Sequence, residues 1–139
     1  MLFRSVLNGG DVTITPVEGR NNITLTITDE CGEKAICYTD ITVILNSPPT
    51  ATCPGPQALF VCDLSPITLP GFVCDDADGN LLSCEVDNGN LIENDVTFMP
   101  VIGENIINLT ATDECGITET CQTIITISLN NPQIGRAHV

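Results

Sequence analysis

The decapeptide TDECGEKAIC at residues 28 to 37 returns 84 residues later as TDECGITETC at 112 to 121, with both cysteines and the acidic pair in register. Cysteines and carboxylates at a repeated spacing can serve a metal site, a redox pair or a disulfide. The chain carries eight cysteines, at Cys31, Cys37, Cys53, Cys62, Cys74, Cys84, Cys115 and Cys121. None sits in a CxxC, the spacing that points to zinc or thioredoxin-like chemistry. A reactive thiol also needs a helix start, a histidine or a nearby cation to lower its pKa. The sequence supplies neither a helix start nor a histidine beside TDECG, and Lys34 beside the first copy is the one cation. An even count at hairpin-like spacings in an acidic chain reads instead as disulfides, and so as an extracellular or cell-surface protein. Residues opposed across a hairpin lie at bridging distance. Cys115 with Cys121, and Cys31 with Cys37, are therefore one local option among several connectivities.

The acidic residues offer the second chemistry. Asp75, Asp76 and Asp78 in DDADGN, with Asp113 and Glu114 in TDECG, form two acidic loops. Calcium takes about six to eight oxygens, several of them from carboxylates. The five residues are candidate calcium ligands if the fold brings their loops together. DDADGN is not an EF-hand loop, because its glycine is misplaced and the closing glutamate is missing. The competing reading makes DADGN a plain turn and Asp113 the cap of a hairpin.

Eighteen acidic residues against four basic ones give a formal charge of -14. Nucleic acids and anionic membranes are repelled by such a surface. No apolar run approaches the roughly 18 residues of a membrane-spanning helix, so membrane insertion is not expected. The single histidine is His138, so the body of the chain has no imidazole for acid-base chemistry or metal ligation. No nucleophile motif such as GxSxG occurs, and an enzyme is not expected.

The elements that position these residues read as β throughout. ITLTITD, YTDITVIL, INLTATD and QTIITISL alternate apolar with polar residues at period two, as strands with one buried face do. EGRNN, CGEK, ADGN, DNGN and IGEN supply turns between them. The repeat runs far beyond TDECG. Residues 12–46 align without a gap on 96–130, pairing Val12 with Val96, Pro16 with Pro100 and Gly19 with Gly103. Such a period marks a tandem array. One complete unit spans 47–130, and 6–46 is the C-terminal half of the unit before it. About seven short strands per unit predict an immunoglobulin-like antiparallel β-sandwich. Strand A is placed around QALFVC, B over SPITLPGFVC, C over LLSCEV, D over GNLIEN, E over DVTFMP, F over NIINLTATD and G over CQTIITISL. The expected core is Leu59, Val61, Ile67, Leu69, Phe72, Leu82, Val86, Val96, Phe98, Ile107, Leu109, Ala111, Ile125 and Ile127. The Pro-rich stretch NSPPTATCP at 46–54 reads as a short, stiff linker. NIT at 22–24 and NLT at 108–110 match glycosylation sequons.

The ends MLFRS and IGRAHV resemble translations of a sequencing adapter and of its reverse complement. Residues 1–5 and 134–139 are read as scars on a fragment of a longer, metagenomic gene, with 131–133 beginning a linker. A signal peptide is then expected in the missing N-terminal part.

Cys53-Pro54, Gly103-Glu104-Asn105, and TATDECG at 110–116 followed by Cys121 and an alternating last strand resemble a hyalin-type repeat. Related immunoglobulin-like repeats occur in large bacterial surface proteins. The extra cysteines at 62, 74, 84 and 115 depart from that pattern. The resemblance implies a Cys53–Cys121 pairing as a rival to the hairpin pairs. It also implies a structural spacer or adhesive module whose partners are neighbouring repeats and cell-surface or matrix ligands. The alternative is a carbohydrate-binding or accessory module of an extracellular enzyme.

Overall fold

The computed structural model describes residues 5–130. The chain divides into two compact units, Met1–Asn46 and Ser47–Val139. Among the described residues every regular element is a strand. The first unit consists of two hairpins. β1 (Ser5–Asn8) pairs with β2 (Asp11–Ile14), and β3 (Gly19–Thr28) pairs with β4 (Lys34–Val43), both antiparallel.

The second unit is an immunoglobulin-like β-sandwich. Its strands are β5 (Thr50–Thr52), β6 (Gln57–Val61), β7 (Ile67–Pro70), β8 (Val73–Asp75), β9 (Leu81–Val86), β10 (Asn90–Ile92), β11 (Asp95–Phe98), β12 (Gly103–Asp113) and β13 (Thr118–Leu129). One layer runs β6-β13-β12-β9. The other runs β10-β11-β7, and β8 continues it from β7 to pair with β5. The alternation of β12 makes the layers face each other. Asn105, Ile107, Leu109, Ala111 and Asp113 all turn inward and are buried, while the residues between them are not. Across the gap they meet Leu69, Phe72, Val96 and Phe98, with Ile125 and Ile127 from β13. Each such aliphatic or aromatic side chain contributes about 1.5–3 kcal/mol on burial.

Three local features differ from the sequence expectation. The stretch 46–54 is not a free linker, since Thr50–Thr52 pairs with Val73–Asp75 and Pro49 is fully buried. Pro54 and Pro56 then break the ladder, because proline has no amide to donate, and the chain crosses to the other layer as β6. Strand B is split. Gly71, at φ 100°, turns the chain between β7 and β8, and the amides of Gly71 and Phe72 both donate to the Asn94 carbonyl at 3.0 and 3.1 Å. Leu82, expected in the core, is 64 % exposed. Thr112 lies opposite Ser83 and Asp113 opposite Leu81, so Leu82 is the extra residue of a β-bulge, and the bulge resets the in-out parity.

The β10–β11 turn contains a correctable strain. Glu93 has φ 56°, in the left-handed region, where the matching residue of the first unit is Gly9 at φ 66°. A side chain there costs about 1–2 kcal/mol, partly offset by the greater freedom of glycine in the unfolded chain. Glu93→Gly is expected to stabilise the second unit by about 0.5–1 kcal/mol in urea titrations.

Candidate functional site

TDECG forms the same turn in both units. In the second, the Asp113 amide donates to the Ile117 carbonyl at 3.0 Å and the Gly116 amide to the Asp113 carbonyl at 3.0 Å. The Asp113 carboxylate accepts from the Ile117 amide at 2.8 Å. In the first unit the Asp29 carboxylate accepts from the Cys31 and Glu33 amides at 2.8 and 2.9 Å. Gly32 and Gly116 take positive φ angles of 86° and 83° to close the turns. The motif is thus read locally. The aspartate satisfies turn amides, and the glycine adopts a backbone that a side chain would resist.

The fold brings the two acidic loops to one pole of the sandwich. The Glu114 amide donates to the Asn80 carbonyl at 2.9 Å, and Asp113 lies opposite Leu81. The carboxylates of Asp76 and Asp78, like that of Asp113, are engaged with backbone. Asp76 accepts from the Asp78 amide at 2.8 Å, and Asp78 accepts from the amide of Ser47, where the chain enters the unit. Asp75 ends β8 through its backbone pairing with Thr50. Among the described residues, no three of histidine, cysteine, aspartate and glutamate are grouped to hold a metal ion. Asp75, Asp76, Asp78, Asp113 and Glu114 lie on the two loops that meet at this pole.

A prediction follows from the turn chemistry. Asp113→Ala strands the Ile117 amide and is expected to cost about 2 kcal/mol, whereas Asp113→Asn keeps an acceptor and costs less. Thermal melts in calcium and in EDTA test the calcium reading of this pole: a calcium-dependent rise that Asp113→Asn abolishes would support it, and coincident melts would count against it.

The cysteines are divided between staples and free thiols. Cys53 bridges Cys121, and Cys74 bridges Cys84. The hairpin pairing of Cys115 with Cys121 is not formed, because Cys115 lies in the turn while the residue opposite Cys121 is Leu109. Cys84 lies opposite Ala111, two residues along β12 from Leu109, so the two bridges sit at adjoining levels of the core. Cys31, Cys37, Cys62 and Cys115 are unpaired and exposed. The disulfides call for an oxidising compartment. No helix of the described residues is long and apolar enough to cross a membrane.

One structural residue escaped the sequence reading, although its motif is on view twice. Asn105, in Gly103-Glu104-Asn105, is buried at the corner between β11 and β12. It accepts from the Val101 amide at 2.8 Å and donates to the carbonyls of Val101 at 2.8 Å and Gly103 at 3.1 Å, with a longer contact to Ile125 at 3.4 Å. Asn21 does the same in the first unit, with Val17 at 2.9 and 2.8 Å, Gly19 at 3.0 Å and Ile41 at 3.4 Å. In immunoglobulin domains a tyrosine hydroxyl ties this corner. Here an amide ties it, and the signal was a Gly-x-Asn recurring at the repeat period.

The sequon asparagines are also engaged. Asn108 donates to Asp87 at 2.7 Å and Asn22 to Asp40 at 2.7 Å. The Asn108 side chain, then its backbone amide, hold the Asp87 carboxyl below the usual carboxylate range.

The first unit carries the same strand pair as β12–β13, with residues of its inner face more exposed. Leu25 is 39 % exposed where its counterpart Leu109 is fully buried, and Ile27 is 62 % exposed where Ala111 is fully buried. Two shallow cavities, of about 120 and 210 Å³, share Leu25 and Cys37 in their walls.

No protein-family model matches the chain, and no curated protein matches it. Among solved structures, the chain is similar to one described as "Structures of Clostridium thermocellum CbhA fibronectin(III)-like modules". The identity is 13 % and the TM-score 0.46, over 85 % of this chain and 67 % of that one.

Proposed function

We propose that this chain is a non-catalytic repeat module, a spacer or adhesive segment of a long secreted or cell-surface protein. The observation that supports it most is the use to which the repeated residues are put. Asp29 and Asp113 close the same turn, and Asn21 and Asn105 tie the same corner, with the same bonds. What repeats is therefore fold chemistry, as an array of interchangeable units requires. The path of the chain suits an array as well. It enters the complete unit beside Asp78, at the pole of the β12–β13 turn, and leaves from the far end of β13. The hyalin-type resemblance of Cys53-Pro54, Gly103-Glu104-Asn105 and TATDECG agrees with this reading.

A sugar-binding accessory role has less support. Sugar platforms stack on exposed aromatic rings. The complete unit has no tryptophan or tyrosine, its Phe72 and Phe98 are buried, and Phe60 is its one exposed ring. Small-angle scattering on concatenated copies of 47–130 tests the spacer. The maximum dimension is expected to grow in proportion to copy number. A dimension that levels off, or saturable binding of a glycan from an array, would overturn it.

A further inference from the structure

The half unit matches the complete one closely enough to show what its open face is shaped to receive. In the complete unit the inner face of β12–β13 is covered by β11, whose counterpart β2 the first unit already has, and by Leu69 and Phe72 from the segment 47–88. The outer edge of the pair is taken by β6, which runs parallel to β13 from Gln57 opposite Ile125 to Val61 opposite Leu129. Two further ties hold that covering segment. Cys53 bridges Cys121, and the Thr123 hydroxyl donates to the Pro54 carbonyl at 2.7 Å. Every receiving position has its counterpart in the first unit. Cys37 stands for Cys121 and Thr39 for Thr123, while Leu25 and Ile41 stand for the buried Leu109 and Ile125. Cys37 is unpaired, and Thr39, Leu25 and Ile41 are exposed.

We propose that the open face and edge of the β3–β4 hairpin are an acceptor for one kind of partner. That partner is a polypeptide segment with the strand set of residues 47–88, docked in the register of the complete unit and bridged to Cys37 through its own Cys53. A second hairpin packed face to face would cover Leu25 but leave the β4 edge unpaired, and it would bring neither a carbonyl to Thr39 nor a Cys53 to Cys37. The donor segment satisfies all three, by strand addition at the edge and burial on the face. Bridge formation removes one proton and one electron from each thiol. Glutathione disulfide accepts both pairs and leaves as two glutathione thiols. The proposal rests on the repeat correspondence and is independent of the spacer reading.

The test adds a synthetic donor, residues 47–88 with Cys62→Ser and the Cys74–Cys84 bridge formed, to the full chain in a glutathione redox buffer. Mass mapping of an isotope-labelled donor is expected to find its Cys53 bonded to Cys37 about tenfold or more over Cys31, Cys62 and Cys115. A docked thiol meets its partner at an effective concentration that the others lack. Cys37→Ser is expected to keep donor binding, read by fluorescence anisotropy, and to lose the covalent product. The pair Leu25→Asp with Ile27→Asp, on a face already exposed, is expected to lose both. Bridging spread evenly over the four thiols would overturn the proposal, as would donor uptake indifferent to the aspartates. So would a chain that dimerises through this face and excludes the donor.

Discussion

Replacing Cys53 and Cys121 together by alanine is expected to cost about 4 kcal/mol of stability in the complete unit, on the order of 20 °C in Tm. The bridge joins residues 68 apart, and closing a loop of that size removes much of the freedom of the unfolded chain. The Cys74–Cys84 bridge spans only 10 residues, so its removal is expected to cost about 3 kcal/mol. The order of the two costs is the sharper expectation. It is measured by urea unfolding of Cys53→Ala/Cys121→Ala beside Cys74→Ala/Cys84→Ala. If the shorter bridge proved the more costly, strain or residual structure, rather than loop entropy, would govern this fold. Domains of this size have about 5–15 kcal/mol to lose, so either variant gives up a large share of the stability.

Asn105→Ala is expected to be nearly as damaging, at about 3 kcal/mol, without touching the apolar core. The side chain is buried, and its removal leaves the Val101 amide and the carbonyls of Val101 and Gly103 without the bonds they make to it. Each buried group stranded in this way costs about 1–3 kcal/mol. Asn105→Asp separates the polar role from simple volume. It keeps the acceptor facing the Val101 amide but turns a carboxylate oxygen toward two carbonyls, so it is expected to destabilise despite its matching size. Urea unfolding checks both. An aspartate variant as stable as the parent would mean that the donated bonds contribute little.

Much of this architecture is legible in the sequence, because period-two alternation translates directly into a buried face. Ile107, Leu109 and Ala111 on β12, and Ile125 and Ile127 on β13, lie in the core where alternation puts them. The rule fails at Leu82 for a physical reason, since one inserted residue inverts the parity and composition carries no trace of the insertion. β5 was hidden because three residues between prolines are too few to show a period. Strand B reads as continuous because the turn at Gly71 is only two residues long. The cysteine pairing stayed open because hairpin and long-range partners both satisfy bridging distance, and only the register that sets Leu109 opposite Cys121 decides between them. Topology puts the two acidic loops side by side, and the Glu114 amide donates to the Asn80 carbonyl. What their carboxylates do was not readable, because an aspartate beside a glycine serves a turn amide as readily as a cation.

The parallel seam between β6 and β13, and the bridge beside it, set how the unit transmits tension. A pull applied at Ser47 and Asn130 reaches Cys53 after a few residues, crosses the sulfur–sulfur bond to Cys121 and runs out along β13. The chain between the two cysteines carries none of it. Extended, that stretch would measure on the order of 230 Å, and all of it is withheld while the bridge is intact. With the bridge reduced, the pull would enter β6 instead, and the hydrogen bonds joining β6 to β13 would be loaded together in shear, since the two strands run the same way. Oxidised, the complete unit is a link of nearly fixed length. Reduced, it becomes a spring with a long reserve, and the redox state of one bond chooses between them.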